Sequence, residues 1–221
     1  MTLSFRWLAP VACIVIAVTG CGPATPDYQS IWSTTPTTTP TPTSTEAPVP
    51  LSAYLEKLGV TGAPVAPDKL TDLIVSLPRP PGWEQYTNAN FAPGTRVIAK
   101  GDTYPTAMLM VFQLTGDFDV KDALKHADGD AELSENFERA DGSSADFRGF
   151  PSSMVQGTYD LNGKRMQSYN RIVIATGTPA RPNLPGQRYL IQLTVTDFAD
   201  KAAANGPDID GIIKSFDVKA K

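Results

Sequence analysis

Tyr159-Asp160-Leu161-Asn162-Gly163-Lys164-Arg165-Met166 sets the dipeptide Asn-Gly between two short strand-like segments. Asn and Gly both tolerate positive φ, which a type I′ turn needs at its two central positions. Such a turn fixes a register: Tyr159 opposite Met166, and Asp160 opposite Arg165. The second pair joins opposite charges across the hairpin, which favours this register. Strands joined by so short a turn run antiparallel. The chain is therefore expected to be built on an antiparallel sheet.

Outward from the hairpin lie more strand patterns. Residues 171–176 and 187–195 read as strands, and in the second Tyr189, Ile191, Leu193 and Val195 alternate with Leu190, Gln192 and Thr194. Ala107 to Phe112 is apolar without a break, as in a strand covered on both faces. Leu73, Val75 and Leu77 alternate and stop at Pro78. Three segments carry a helical stripe instead, with apolar residues at i, i+3, i+4 and i+7. The first is Leu51, Tyr54, Leu55 and Leu58, with Gly59 as the stop. The second is Val120, Ala123, Leu124 and Ala127 after Asp119, a suitable N-cap. The third is Ile209, Ile212, Ile213 and Phe216, expected to start at Pro207 as a first-turn residue. A separate short helix is expected across Phe198 to Ala204. Hairpin-linked strands with helices at both ends and in the middle predict an α+β fold: a central antiparallel sheet with helices on both faces.

Two proline-rich segments interrupt these elements. Pro78-Arg79-Pro80-Pro81-Gly82-Trp83 forms a rigid turn that delivers Trp83, either as a core anchor or as a contact for a ligand or partner. Thr178 to Gly186 (TPARPNLPG) connects two strands, as a mobile hairpin loop or as the lip of a pocket.

The N-terminus carries an address. Arg6 supplies a positive start, and Trp7 to Val18 is apolar except for Pro10. That run is short of the ~20 residues a membrane-spanning helix needs and fits a secretory signal. Thr19-Gly20-Cys21 then places a cysteine directly after small residues, the layout of a lipoprotein cleavage and acylation site. Cleavage is expected between Gly20 and Cys21, with Cys21 lipidated. Residues 1–20 are thus read as signal peptide, 21–50 as an acylated, disordered Thr/Pro-rich tether, and 51–221 as one globular domain. Gly22 to Pro50 holds nine Thr and seven Pro in 29 residues, too little apolar surface to offset the entropy of ordering. In polyproline II form, at ~3.1 Å per residue, the tether reaches about 90 Å. O-glycosylation of the Thr/Pro tract is one reading and an unmodified spacer the other.

Charge and chemistry narrow the function classes. Removing residues 1–20 takes away Arg6 and no acid, so 18 Lys+Arg face 23 Asp+Glu, a net of −5. Such a balance lacks the basic footprint of nucleic-acid binding. Cys13 leaves with the signal and Cys21 is consumed by acylation, so no disulfide and no thiol nucleophile are expected. His126 is the one histidine. No Gly-x-Ser-x-Gly elbow accompanies it, and its place at a helix C-terminus suits a dipole contact. A zinc site draws on several His or Cys, and no metal or cofactor is expected. Asp128-Gly129-Asp130-Ala131-Glu132 matches the start of a calcium loop, but Leu133 and Arg139 stand where its glycine and closing glutamate belong. A solvated acidic turn is the better reading. No catalytic set emerges, so the protein is expected not to be an enzyme; an envelope hydrolase built on distant carboxylates is the alternative.

Four strings carry a family resemblance: Pro48-Val49-Pro50-Leu51, Leu77 to Trp83 (LPRPPGW), Tyr104 to Phe112 (YPTAMLMVF) and Gly149 to Met154 (GFPSSM). With the lipoprotein signal and Thr/Pro tether, the chain resembles the LpqN/LpqT lipoproteins of mycobacteria and related actinobacteria, and looks closest to their LpqT branch. The resemblance implies a Mog1/PsbP-like α/β/α sandwich. It also implies a lipid-anchored protein on the outer face of the plasma membrane. LpqN-type relatives are associated with mycolate-lipid export through RND-type transporters. LpqT-type members are associated with modulation of innate immunity through a host lipoprotein receptor. The partners so implied are the membrane, an RND-type lipid transporter or an envelope glycolipid, and that receptor.

Overall fold

A computed structural model describes residues 47–221. Cys21, Gly20, the signal peptide and the tether up to residue 46 lie outside the described residues. Among the described residues there are four α-helices, α1 (Leu51–Lys57), α2 (Val120–Leu124), α3 (Gly129–Glu132) and α4 (Ala202–Ser215). The strands are β1 (Thr61–Pro64), β2 (Leu73–Ser76), β3 (Glu84–Tyr86), β4 (Arg96–Ala99), β5 (Thr106–Thr115), β6 (Glu138–Ser143), β7 (Ser152–Leu161), β8 (Lys164–Thr176), β9 (Arg188–Phe198) and β10 (Asp217–Ala220).

Eight strands form one sheet in the order β3-β4-β5-β9-β8-β7-β6, with β1 paired to the far half of β5. Every pairing is antiparallel. The Asn-Gly turn joins β7 to β8 in the expected register, Tyr159 opposite Met166 and Asp160 opposite Arg165. Asn162 and Gly163 take φ of 49° and 72°. The Arg165 guanidinium donates to Asp160 Oδ1 (3.2 Å) and also reaches the Asn136 carbonyl and the Thr158 hydroxyl. That tie fastens the hairpin to the segment entering β6.

The long strands β5 and β9 lie at the centre. Side chains alternate between the faces of a strand, and in β5 both faces are filled. Ala107, Leu109 and Val111 join one core with Ile191, Leu193 and Val195 of β9. Met108, Met110, Phe112 and Leu114 join a second core on the other face. The first core is closed by Ile212 of α4 and Phe216 just after it, Trp83, and Leu73, Val75 and Val218 of a small β2–β10 sheet. The second is closed by Leu51 and Leu55 of α1 and by Ala123 and Ala127 at and beyond α2. The fold is therefore α+β with helices on both faces, as the sequence predicts.

Two expectations change. The helix expected from Pro207 begins at Ala202, and Phe198 ends β9 instead of opening a separate short helix. Ala202 to Ala204 favour helix intrinsically, and burial of Ile212 and Phe216, both 0 % exposed, anchors the following turns. Pro207 therefore lies inside the helix. Leu58 belongs to the expected first stripe but is 46 % exposed, because α1 ends at Lys57 and the chain turns at Gly59, φ 75°. The strand expected at Leu73 is present as Leu73–Ser76, and it pairs with β10 in a separate two-stranded sheet. Its apolar alternation records packing against the first core, not membership of the main sheet.

Candidate functional site: a cleft at the end of the sheet

Where β5 ends and β9 begins, the two strands and the loop joining β8 to β9 enclose an open cleft of about 760 Å³. Leu114 to Asp117 form one wall, Thr178 to Ala180 and Pro185 to Arg188 the other, and Asp72 and Lys221 the base. The Thr178–Gly186 segment is thus the lip of a pocket, one of the two readings its sequence allowed.

The walls are held by the cleft's own polar groups. Gln187 Nε2 donates to the carbonyls of Leu114 (2.7 Å) and Arg188 (2.9 Å), while its Oε1 accepts from Gln113 (3.1 Å). Arg188 donates to the carbonyls of Phe118 and Gly116, both at 3.0 Å, and its guanidinium lies 4.4 Å from the Phe118 ring centre. It also pairs with Asp117 at 3.3 Å. Lys221 Nζ donates to the Leu70 carbonyl (2.7 Å), and the Thr178 hydroxyl donates to the Lys221 carbonyl.

Asp72 is the hub of the base. Its backbone carbonyl accepts from the N–H groups of Thr178 and Lys221. Its carboxylate accepts from the Tyr189 hydroxyl at 2.8 Å. Burial, and then this hydrogen bond and the nearby negative charge, push the Tyr189 phenol up to about 12. Gly177 lets the loop cross directly over Asp72, because a β-carbon there would collide with the Asp72 carboxylate.

Each of these cations already has a protein partner, and the lining mixes hydroxyl, amide and backbone groups with Leu114 and two prolines. Such a surface suits an uncharged ligand with polar and apolar parts. Nothing in it supplies a paired acid and base around a nucleophile.

The side chains that drew attention in the sequence lie elsewhere. Trp83 is a core anchor, 2 % exposed in the α4-side core. Its indole N–H donates to Asp208 of α4 (3.3 Å), which also binds Lys100 (2.7 Å). It is not offered to a ligand in the cleft. His126 stacks on Tyr54 with ring centres 4.1 Å apart, and its Nδ1 lies 3.2 Å from the Val49 carbonyl. The histidine thus holds Val49 against α1. Asp128 and Glu132 bind Arg139, each at 2.8 Å, and Asp128 also accepts from the Ser153 hydroxyl. The acidic turn is an ion-paired brace onto β6 and β7. Among the described residues no group of three His, Cys, Asp or Glu side chains is placed to hold a metal ion.

One polar feature was not singled out in the sequence. Thr106, Thr196 and Ser168 stand side by side on β5, β9 and β8, with Thr194 and Gln192 next along β9, and all are buried. Gln192 Oε1 and Thr196 Oγ1 have no hydrogen-bond partner among the described residues. Their alternation with apolar residues matches a solvent-facing row. Only the covering of both faces of β9 makes them interior.

Comparison with known proteins places this architecture. The family described as "Probable lipoprotein LpqN" matches residues 47–219. The putative lipoprotein LpqT of Mycobacterium tuberculosis is 56% identical over 211 residues, 96% of this chain and 92% of the relative. The putative lipoprotein LpqT of Mycobacterium leprae is 49% identical over 219 residues, 99% of this chain and 98% of the relative. The crystal structure of LpqN, described as involved in cell envelope biogenesis of Mycobacterium tuberculosis, superposes with a TM-score of 0.63 at 21% identity, covering 77% of this chain and 98% of that one. From the family match and the identity to LpqT lipoproteins over nearly the whole length, the chain belongs to the LpqN lipoprotein family.

Proposed function

We propose that this protein is a non-enzymatic accessory lipoprotein of the cell envelope, which takes an envelope lipid or glycolipid in the cleft beside β5 and β9 and serves a membrane lipid transporter. The observation that carries the reading is the cleft itself. It is large enough for part of a lipid, its cations Arg188 and Lys221 are held by protein carbonyls, and its carboxylates Asp72 and Asp117 are bonded to Tyr189 and Arg188. Membership of a lipoprotein family and the cysteine that follows Thr19-Gly20 after an apolar run support anchoring at the outer face of the plasma membrane. The solved LpqN neighbour is described as acting in envelope biogenesis, which supports the setting.

Native mass spectrometry of the protein purified from its own host tests the reading. A lipid-sized mass adduct is expected on the wild-type chain and is expected to be weakened or lost in Ala180→Trp, which narrows the cleft at its lip. Equal adducts on both chains, or none on either, would overturn the cleft as the site. Crosslinking in cells is expected to capture a transporter of the RND type.

A second role rests on Cys21. Acyl chains on an N-terminal cysteine would offer a ligand to a host lipoprotein receptor without involving the domain. Reporter cells exposed to Cys21→Ser protein should stay silent where the wild-type protein signals; equal signalling would remove this role.

A further inference from the structure

We propose that the loop joining β8 to β9 is a membrane-contacting tip, which inserts Leu184 into the lipid surface and sets the mouth of the cleft against it. The loop leaves the sheet after Thr176 and returns at Arg188, and residues 178–185 are all exposed. Five of those eight are Pro179, Ala180, Pro182, Leu184 and Pro185. Leu184 is 52 % exposed, the most of any large apolar side chain among the described residues. Leu133 is nearly as exposed, at 51 %, but sits between Glu132 and Ser134. A lone exposed leucine needs no explanation. A leucine in an exposed loop whose other residues include Pro179, Ala180, Pro182 and Pro185 is a different case.

The backbone of this tip carries few N–H groups that need a partner from the medium. An amide N–H carried unpaired out of water costs several kcal/mol, and proline has none. Three of the eight exposed residues are proline. The Leu184 N–H is already bonded to the Arg181 carbonyl at 3.3 Å. That bond closes a turn with Pro182 at its second position and Asn183 at its third, φ 69°, the arrangement of a type II turn. The tip is therefore pre-shaped, so little further ordering accompanies contact.

Charge selects the same surface. From Thr176 to Thr196 the chain has no acidic residue, and its two charges are Arg181 and Arg188. Arg188 is committed to Gly116, Phe118 and Asp117. Arg181 is exposed at the tip, beside the apolar residues, where its stem can lie along them while the guanidinium meets lipid phosphate. In a protein of net charge −4, this acid-free loop is a face that an anionic bilayer does not repel. The tether's reach of about 90 Å lets it arrive there. The inference rests on the lipid-binding reading of the cleft: a mouth at the bilayer lets a lipid pass without crossing water.

The test uses the full-length acylated protein reconstituted into phosphatidylcholine vesicles, with and without phosphatidylglycerol. Intact mass first establishes acylation of Cys21, which leaves Leu184→Cys or Leu133→Cys as the sole thiol for an environment-sensitive fluorophore. The probe at 184 is expected to brighten several-fold, shift to the blue and be quenched by spin-labelled lipid, while the probe at 133 stays as in water. Adding Arg181→Glu is expected to lower the signal at 184 on anionic vesicles and to leave it unchanged on neutral ones. A probe at 184 that behaves like that at 133 would overturn the proposal. In that case a lipid adduct retained on the unlabelled protein still leaves the cleft reading standing, so the two failures are distinguishable.

Discussion

Tyr189 keeps its proton because its ring is buried under the cleft and its hydroxyl donates to Asp72. The folded phenol titrates near 12 against 10.0 for the ordinary side chain, so the protonated form favours the native state. That stabilisation is fully present below pH 10 and is lost as pH rises through about 12, and a two-unit shift corresponds to at most about 2–3 kcal/mol. In Tyr189→Phe, the fall in urea midpoint between about pH 9 and about pH 11 should be shallower than in wild type; parallel curves would show that Asp72 does not hold this proton in the native state. Two glycines separate two kinds of constraint. Gly163 has φ 72° and open space around a would-be β-carbon. Gly163→Ala should therefore cost about 1–2 kcal/mol from backbone strain alone. At Gly129 φ is ordinary, but a β-carbon would lie 2.7 Å from the Val49 carbonyl oxygen. Gly129→Ala should push Val49 off α3, read as a shifted His126 ring resonance as its contact with the Val49 carbonyl is lost, with little change in the urea midpoint. The Asn162-Gly163 conformation was legible from residue type. The Gly129 contact was not, since it joins positions 80 apart in the chain.

At the scale of elements, α4 shows how local and tertiary preferences divide. Pro207 offers no N–H to the carbonyl four residues back, and it stands inside the helix. The sequence therefore reads as a helix start there, while the alanines before it and the buried Ile212 and Phe216 after it keep one helix through the proline. Pro207→Ala should raise stability, by up to about 3 kcal/mol. Phe216→Ala should lower it by about 3–5 kcal/mol, since the ring is 0 % exposed and stacked on Phe147 at 5.1 Å. Urea midpoints check both, and a destabilised Pro207→Ala would mean that the proline's shape is part of α4's seat on the sheet. The edge strand β6 was invisible in the sequence for a related reason. Glu138-Arg139-Ala140-Asp141-Gly142-Ser143 has no apolar alternation, and its pairing to β7 shifts register between Arg139 and Asp141. Polar composition and a bulge are what a sheet edge uses to resist pairing with another chain. The same features hide it from a search for hydrophobic period.

For the whole molecule, the proposed anchor at Cys21 and the cleft belong to different parts of the chain. Cys21→Ser, expressed in an acylating host, should move the protein from the membrane fraction to the soluble fraction; a variant that stays in the membrane pellet would show that the domain alone suffices for attachment. The sequence by itself determined the hairpin register at Asn162-Gly163, the double-sided burial of Ala107–Phe112 and the α+β class, and it carries the proposal of a lipidated Cys21. Each depends on neighbours in the chain: a turn's φ, a helical or strand period, or small residues before a cysteine. Only the tertiary structure decided that Trp83 is an anchor, that Gln192 and Thr196 are interior, and that Thr178–Gly186 lines a cleft with Asp72 and Lys221. Those facts depend on which faces end up covered, and covering is a property of packing between segments over 100 residues apart.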